Sequence, residues 1–223
     1  MYLDTKDLEL FAKKFSDRLL DGRICYYLKK DDNGYKANAV HAGIIWSREV
    51  IVELNRRDYD KVAELQTSDL LLLIFYVDIL LEATDQIYRV LYNTKKTENL
   101  SEKEIFVNKP ALYSKLDDRG YFKELRAIFG AHPVNLKEPD SKKTRFADIP
   151  MRPNHIIRFE KYPPIKGEYD FYERLWTSTR HDDDTVFMPL RVSEVFEFAN
   201  VLVERFAKFT ERLRIIAYHR DKL

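Results

Sequence analysis

Arg126 and His132 stand six residues apart in the stretch LRAIFGAHPVNL, and no other pair of side chains in this sequence is better placed to do chemistry together. A guanidinium grips phosphate oxygens through a planar fork of donors, and an imidazole exchanges protons near neutral pH. On an uninterrupted helix the two would be rotated by ~600°, about 120° apart around the axis, and could not share a pocket. The sequence supplies a break. Gly130 can take the left-handed conformation that ends helices, and Pro133 disfavours the α region for the residue before it. The helix is therefore expected to stop at Gly130, with His132 just past its C-terminus and turned back toward the face of Arg126. The negative end of the helix dipole favours imidazolium there, the proton-donating form.

Arginine-to-histidine spacings of five to seven also occur at Arg174–His181, Arg212–His219 and Arg214–His219. Arg212, Arg214 and His219 fall near the end of a continuous charged helix and are expected to face solvent, while Arg174 and His181 fall on a presumed hairpin. Only Arg126 combines an apolar helix with a break.

An arginine, four to six intervening residues and then a histidine at a helix end, in the local form LRAIFGAHP, resembles the motif of the HEPN superfamily of small helical bundles. The resemblance implies a metal-independent endoribonuclease working as a homodimer, with one arginine and one histidine from each chain. It also implies a toxin or antiviral defence effector, with RNA as substrate and a cognate antitoxin protein as partner. In that scheme the RNA 2′-hydroxyl attacks the adjacent phosphate, His132 exchanges protons with the reacting oxygens, and Arg126 binds the phosphate. The sequence departs from the pattern at Ala127, where active members commonly carry a polar residue. The alternative is a catalytically inactive module of the same fold that binds a protein or nucleic-acid partner. Arg126 would then pair with an acidic neighbour and His132 would cap its own helix.

Asp78, Glu82 and Asp85 follow one another at helical intervals, with Arg89 after them, and form an acidic stripe on a helix otherwise built for burial. Asp78 and Glu82 are expected to orient Arg126 from behind. The blander reading is an Asp85–Arg89 pair on a partly solvated face. Bundles that hold two metals use Glu-x-x-His pairs, and no histidine here has a glutamate three positions before it, so no metal or other cofactor is expected. Just after His132, LKEPDSKKTRFADIPMRP gathers Lys137, Lys142, Lys143, Arg145 and Arg152. With three acidic residues interleaved it reads first as a solvated loop; the functional reading is a basic loop with Lys142, Lys143 and Arg145 as RNA-phosphate contacts. Tyr169, Phe171, Tyr172 and Trp176 are expected in the core rather than as base-stacking platforms.

These residues need elements to position them. Only 6 glycines and 8 prolines in 223 residues argue for long regular elements, and 6 of those prolines fall between Pro133 and Pro164. Apolar periodicity predicts helices over Leu3 to about Lys29, Ala37–Arg57, Thr67–Tyr92, Asp118–Ala131 and Ser193–Arg220. Leu70 to Val77 is apolar on all sides, which places it at a bundle centre. HIIRFEK, YDFYERLWTS and TVFMPLRV look extended, the last two around a TRHDDD turn. The expected fold is mainly α, a four- or five-helix bundle with a small antiparallel β insertion before the C-terminal helix. It is read as one helical domain over 1–223, with the β-rich part at 153–192.

A net charge of +1 gives no global field toward nucleic acid or membrane, and the lone Cys25 can form neither an internal disulfide nor a thiolate cluster. The start MYLDTKDLEL is acidic where a secretion signal is basic, and the longest apolar run is far below the ~20 residues of a membrane span. The expectation is a cytoplasmic protein with no membrane partner. No phosphate-binding glycine loop, nucleophile elbow or dinucleotide fingerprint occurs.

Overall fold

A computed structural model describes residues 1–20, 24, 28, 36–96, 100, 104–131, 136–137, 144–147, 150, 169–177 and 185–220. These residues are mainly helical, with five α-helices and a small antiparallel sheet before the C-terminal helix. The helices are α1 (Lys6–Leu20), α2 (Lys36–Asn55), α3 (Thr67–Tyr92), α4 (Asp118–Arg126) and α5 (Val192–Arg220). The strands, hydrogen-bonded in chain order, are β1 (Leu136–Lys137), β2 (Thr144–Ala147), β3 (Phe171–Thr177) and β4 (Val186–Leu190). The chain divides into two compact units, and α3 and α5 each contribute to both.

One unit comprises 1–57, 79–100 and 199–223. The apolar stripe of α1 buries Leu8, Phe11 and Phe15, and Phe11 meets Phe206 and Phe209 at ring-centroid distances of 5.7 and 5.8 Å. Gly43 lets α2 approach α3 closely, since a Cβ there would lie 2.8 Å from Cγ1 of Ile87. The side chain of Asn55 bonds both backbone groups of Leu3, tying the N-terminus to the end of α2. α3 closes in a Schellman turn: Thr94 N–H donates to the Arg89 carbonyl at 3.1 Å and Asn93 N–H to that of Val90. Asn93 takes the left-handed position at φ 49°, which asparagine tolerates better than most residues.

The other unit comprises 58–78 and 101–198. α4 begins at Asp117, whose carboxylate accepts from Gly120 N–H at 2.7 Å, an N-cap bond. The neighbouring Asp118 carboxylate accepts from the N–H groups of Ile105 and Phe106, and the buried Lys109 ammonium lies 3.3 Å from it. That node fixes the 104–113 segment, whose Phe106 stacks among Tyr121, Phe122 and Phe198. At the sheet, β3 pairs with β4 in the register Glu173 opposite Met188. Asp170 caps α5, accepting from Val192 N–H at 2.8 Å.

Two expectations change. The first half of α3 is not buried on all sides, because Leu71 and Phe75 are exposed, Phe75 at 56%. The sheet begins before residue 153, with β1 and β2 inside the segment read as a basic loop. HIIRFEK and the TRHDDD turn lie outside the described residues.

Candidate active site around Arg126

α4 carries Tyr121, Phe122 and Leu125 on its buried side and ends at Arg126. The chain does not stop there. Ala127–Ala131 continues as a π-helical turn, with i→i+5 hydrogen bonding in place of i→i+4. Its widened loop keeps both Ile128 and Phe129 in the core, at 1% and 3% exposure. The expected left-handed Gly130 is absent, since its φ lies outside that region. Gly130 instead occupies the π-turn beside α3, where an added Cβ would make only ordinary contact, 3.8 Å from Cγ2 of Ile74. Turns of this kind recur at functional sites. They hold more than four residues per turn, so the five residue steps from Arg126 to Ala131 amount to little more than one revolution. His132 lies outside the described residues.

Arg126 and Asp78 are brought together: Nη1 of Arg126 donates to Oδ2 of Asp78 at 3.0 Å. Ile74 and Asp78 are four apart on α3, so one face of that helix meets the π-turn at Gly130 and the end of α4 at Arg126. The Arg126 side chain is 43% exposed and that of Asp78 17%. Its Nε is buried and has no hydrogen-bond partner among the described residues. One amino group is thus anchored while the outer edge of the fork stays open, a geometry suited to an oxyanion. Burial raises the Glu124 carboxyl above the usual range, but two residues before Arg126 on a helix is a rotation of ~200°, which points it away.

The rest of the acidic stripe goes elsewhere. Glu82 is exposed and sits 3.8 Å from Nη2 of Arg89. Asp85 is buried and accepts from Nη1 of Arg205 at 2.9 Å, and the same Nη1 donates to Thr84 Oγ1 at 2.8 Å. The Asp85–Arg89 pair of the blander reading is replaced by this buried triad. Sequence reasoning missed Arg205, although it falls at helical intervals among Phe198, Leu202 and Phe209 of α5, a signal that something had to neutralise it. Lys142 and Lys143 lie outside the described residues. Arg145 sits in β2 and is 5% exposed, so it is a strand residue turned inward rather than part of an open loop. Arg212 is half-buried and donates from Nε to the Leu91 carbonyl at 3.1 Å, not free in solvent as expected.

Among the described residues no group of three or more His, Cys, Asp or Glu side chains is arranged to hold a metal ion. No helix among them is long and apolar enough to cross a membrane. Comparison with family models, with curated proteins and with solved structures finds no match.

Proposed function

We propose that the protein is a metal-independent endoribonuclease of the HEPN type, acting as a homodimer through Arg126 and His132. The observation that carries the reading is the Arg126 guanidinium, held at one amino group by Asp78 and open at the other edge where α4 widens into the π-turn. A fork so anchored is pre-oriented for a phosphate, and less side-chain freedom is lost on binding. Arg126 would take the charge that develops on the phosphate as the 2′-hydroxyl attacks. His132, six residues on, would move the protons between the attacking and leaving oxygens. A second copy would supply the matching pair, and a toxin or defence role is the biological setting this chemistry fits.

A second reading has its own support. Leu71 and Phe75 are exposed on the same helix as Asp78, one and two turns before it, an apolar stripe beside the ion pair. With Ala127 in place of a polar residue, this favours an inactive module that docks a protein partner through the stripe.

Incubating the protein with single-stranded RNA under chelator, beside a His132→Ala control, separates the two. Cleavage that persists under chelator and disappears in the folded control is expected. Equal cleavage by both proteins, or none by the parent, sinks the ribonuclease reading.

A further inference from the structure

The net charge of +1 conceals an asymmetry between the two units. The unit made of 1–57, 79–100 and 199–223 holds 20 Lys and Arg against 15 Asp and Glu, a balance of +5. The unit that carries Arg126 holds 18 against 22, a balance of −4. A polyanion would therefore find its favourable field on the unit that lacks Arg126.

Within the positive unit the cations converge on the C-terminal end of α3. The 11 residues QIYRVLYNTKK, Gln86–Lys96, contain no carboxylate. Lys36 reaches this end from α2, its Nζ 3.2 Å from Oδ1 of Asn93, and Arg212 reaches it from α5 through the Leu91 carbonyl. Lys95 and Lys96 follow the Schellman turn and are exposed, with the backbone of Lys96 held by Thr94 Oγ1 at 3.0 Å. The turn's own N–H groups satisfy the Arg89 and Val90 carbonyls and Arg212 that of Leu91, so none of these three carbonyls needs either lysine as a cap. Of the carboxylates that flank Gln86–Lys96 in sequence, Asp85 is held by Arg205 and Glu82 by Arg89, while Glu98 lies outside the described residues. Half-buried tyrosines order the cluster. Tyr88 and Tyr92 stack at 4.4 Å, and the Arg212 guanidinium lies 5.1 Å from the Tyr92 ring centre.

We propose that this end of α3, with Lys36, Lys95, Lys96 and Arg212 around the Tyr88–Tyr92 stack, is a docking face for single-stranded RNA. Cations ordered among aromatic rings are what single-strand binding surfaces use. An anionic membrane fits less well on α3 itself, where no large apolar side chain between Ile79 and Lys96 is exposed to insert into it; the exposed Ile215 and Tyr218 lie on α5, beyond Arg212. The preference for RNA over DNA rests on the ribonuclease reading, whereas the charge argument stands without it.

The test is fluorescence anisotropy with a labelled single-stranded RNA in the His132→Ala background, so that the probe survives. Lys95→Glu with Lys96→Glu should weaken binding at least ~10-fold at moderate salt and flatten the log–log salt slope by ~1.4, about 0.7 per lost phosphate contact. Lys13→Glu with Lys14→Glu, exposed on α1 and equal in charge change, should cost far less. Equal losses in the two double variants, or RNA binding too weak to measure, overturn the face. Binding to phosphatidylserine vesicles without binding to RNA also overturns it, and DNA bound as tightly as RNA overturns the RNA assignment. Binding without cleavage by the parent protein would sink the ribonuclease reading alone, and cleavage with unaltered binding in the Lys95/Lys96 variant would sink the face alone.

Discussion

Asp78 and Asp85 lie seven residues apart on α3, and each accepts a hydrogen bond from an arginine at nearly one distance, 3.0 Å from Arg126 and 2.9 Å from Arg205. Their surroundings differ completely. Arg205 and Asp85 are 2% and 3% exposed, and Thr84 adds a third polar partner. Arg126 stays 43% exposed. A contact of one length is worth little where water screens it and a great deal where water is excluded. The buried pair is committed to the fold, because breaking it would strand a charge in the core. The half-open pair can exchange a partner, which is what a binding group must do.

Breaking the buried pair should have the largest effect. Asp85→Ala leaves Arg205 buried without its carboxylate and should cost ~3–5 kcal/mol, a fall in Tm on the order of 10 °C. Replacing both Asp85 and Arg205 by leucine should cost less than Asp85→Ala alone, since no charge is then stranded. Thermal and urea denaturation check both, and a loss under ~1 kcal/mol for Asp85→Ala would remove the distinction.

Arg126→Ala should show the opposite profile. Its stability should stay within ~1 kcal/mol of the parent, while RNA cleavage is lost. A fall in Tm as deep as that of Asp85→Ala would make Arg126 a structural residue like Arg205.

The smallest effects come from two glutamates in which partner and burial compete. Glu9 is half-exposed, and its hydrogen bond to Arg48 holds its carboxyl below the ordinary range. Its stabilisation is present at neutral pH and is lost as pH falls through that depressed value. Glu194 lies 3.9 Å from Arg191, yet burial raises its carboxyl above the ordinary range. Its contribution runs the other way, full at acid pH and lost as pH rises through the raised value. In melts from pH 7 down to pH 3, Glu9→Gln should lower Tm slightly at pH 7, by the equivalent of ~0.5 kcal/mol or less, and not at pH 3. Glu194→Gln should raise Tm at pH 7 and leave it unchanged at pH 3. A Glu194→Gln variant less stable at pH 7 would mean that Arg191 outweighs burial there.

Long elements were legible because their signals repeat. α3 runs over Thr67–Tyr92 as its apolar period indicates, and at its start the Asp69 carboxylate reaches back to Gln66 N–H. α2, β3, β4 and α5 fall within a few residues of their patterns. β1 and β2, at two and four residues, are too short for alternation to register, and their charged, proline-flanked surroundings read as loop. The Asp78–Arg126 contact was legible because helix faces can be counted on one side and a lone arginine marked on the other. The partner of Asp85 was not, because counting along α3 reaches Arg89 and says nothing of Arg205, 120 residues away. The π-turn left no trace, since AIFGA fits an α-turn as well as a π-turn by composition.

That turn also sets how the segment tolerates changes in length. In chain register, Ala127–Ala131 holds one residue more than an α-helix would use to cover the same ground. The surplus is absorbed on the spot, so that Leu125 before it and Ile128 and Phe129 within it all keep their places in the core. A single deletion inside 127–131 can therefore close the turn into ordinary helix, whereas a single insertion has no such form to fall back on. The point at which the chain leaves α4 is accordingly governed by how many residues stand between Arg126 and Ala131, more than by which ones they are.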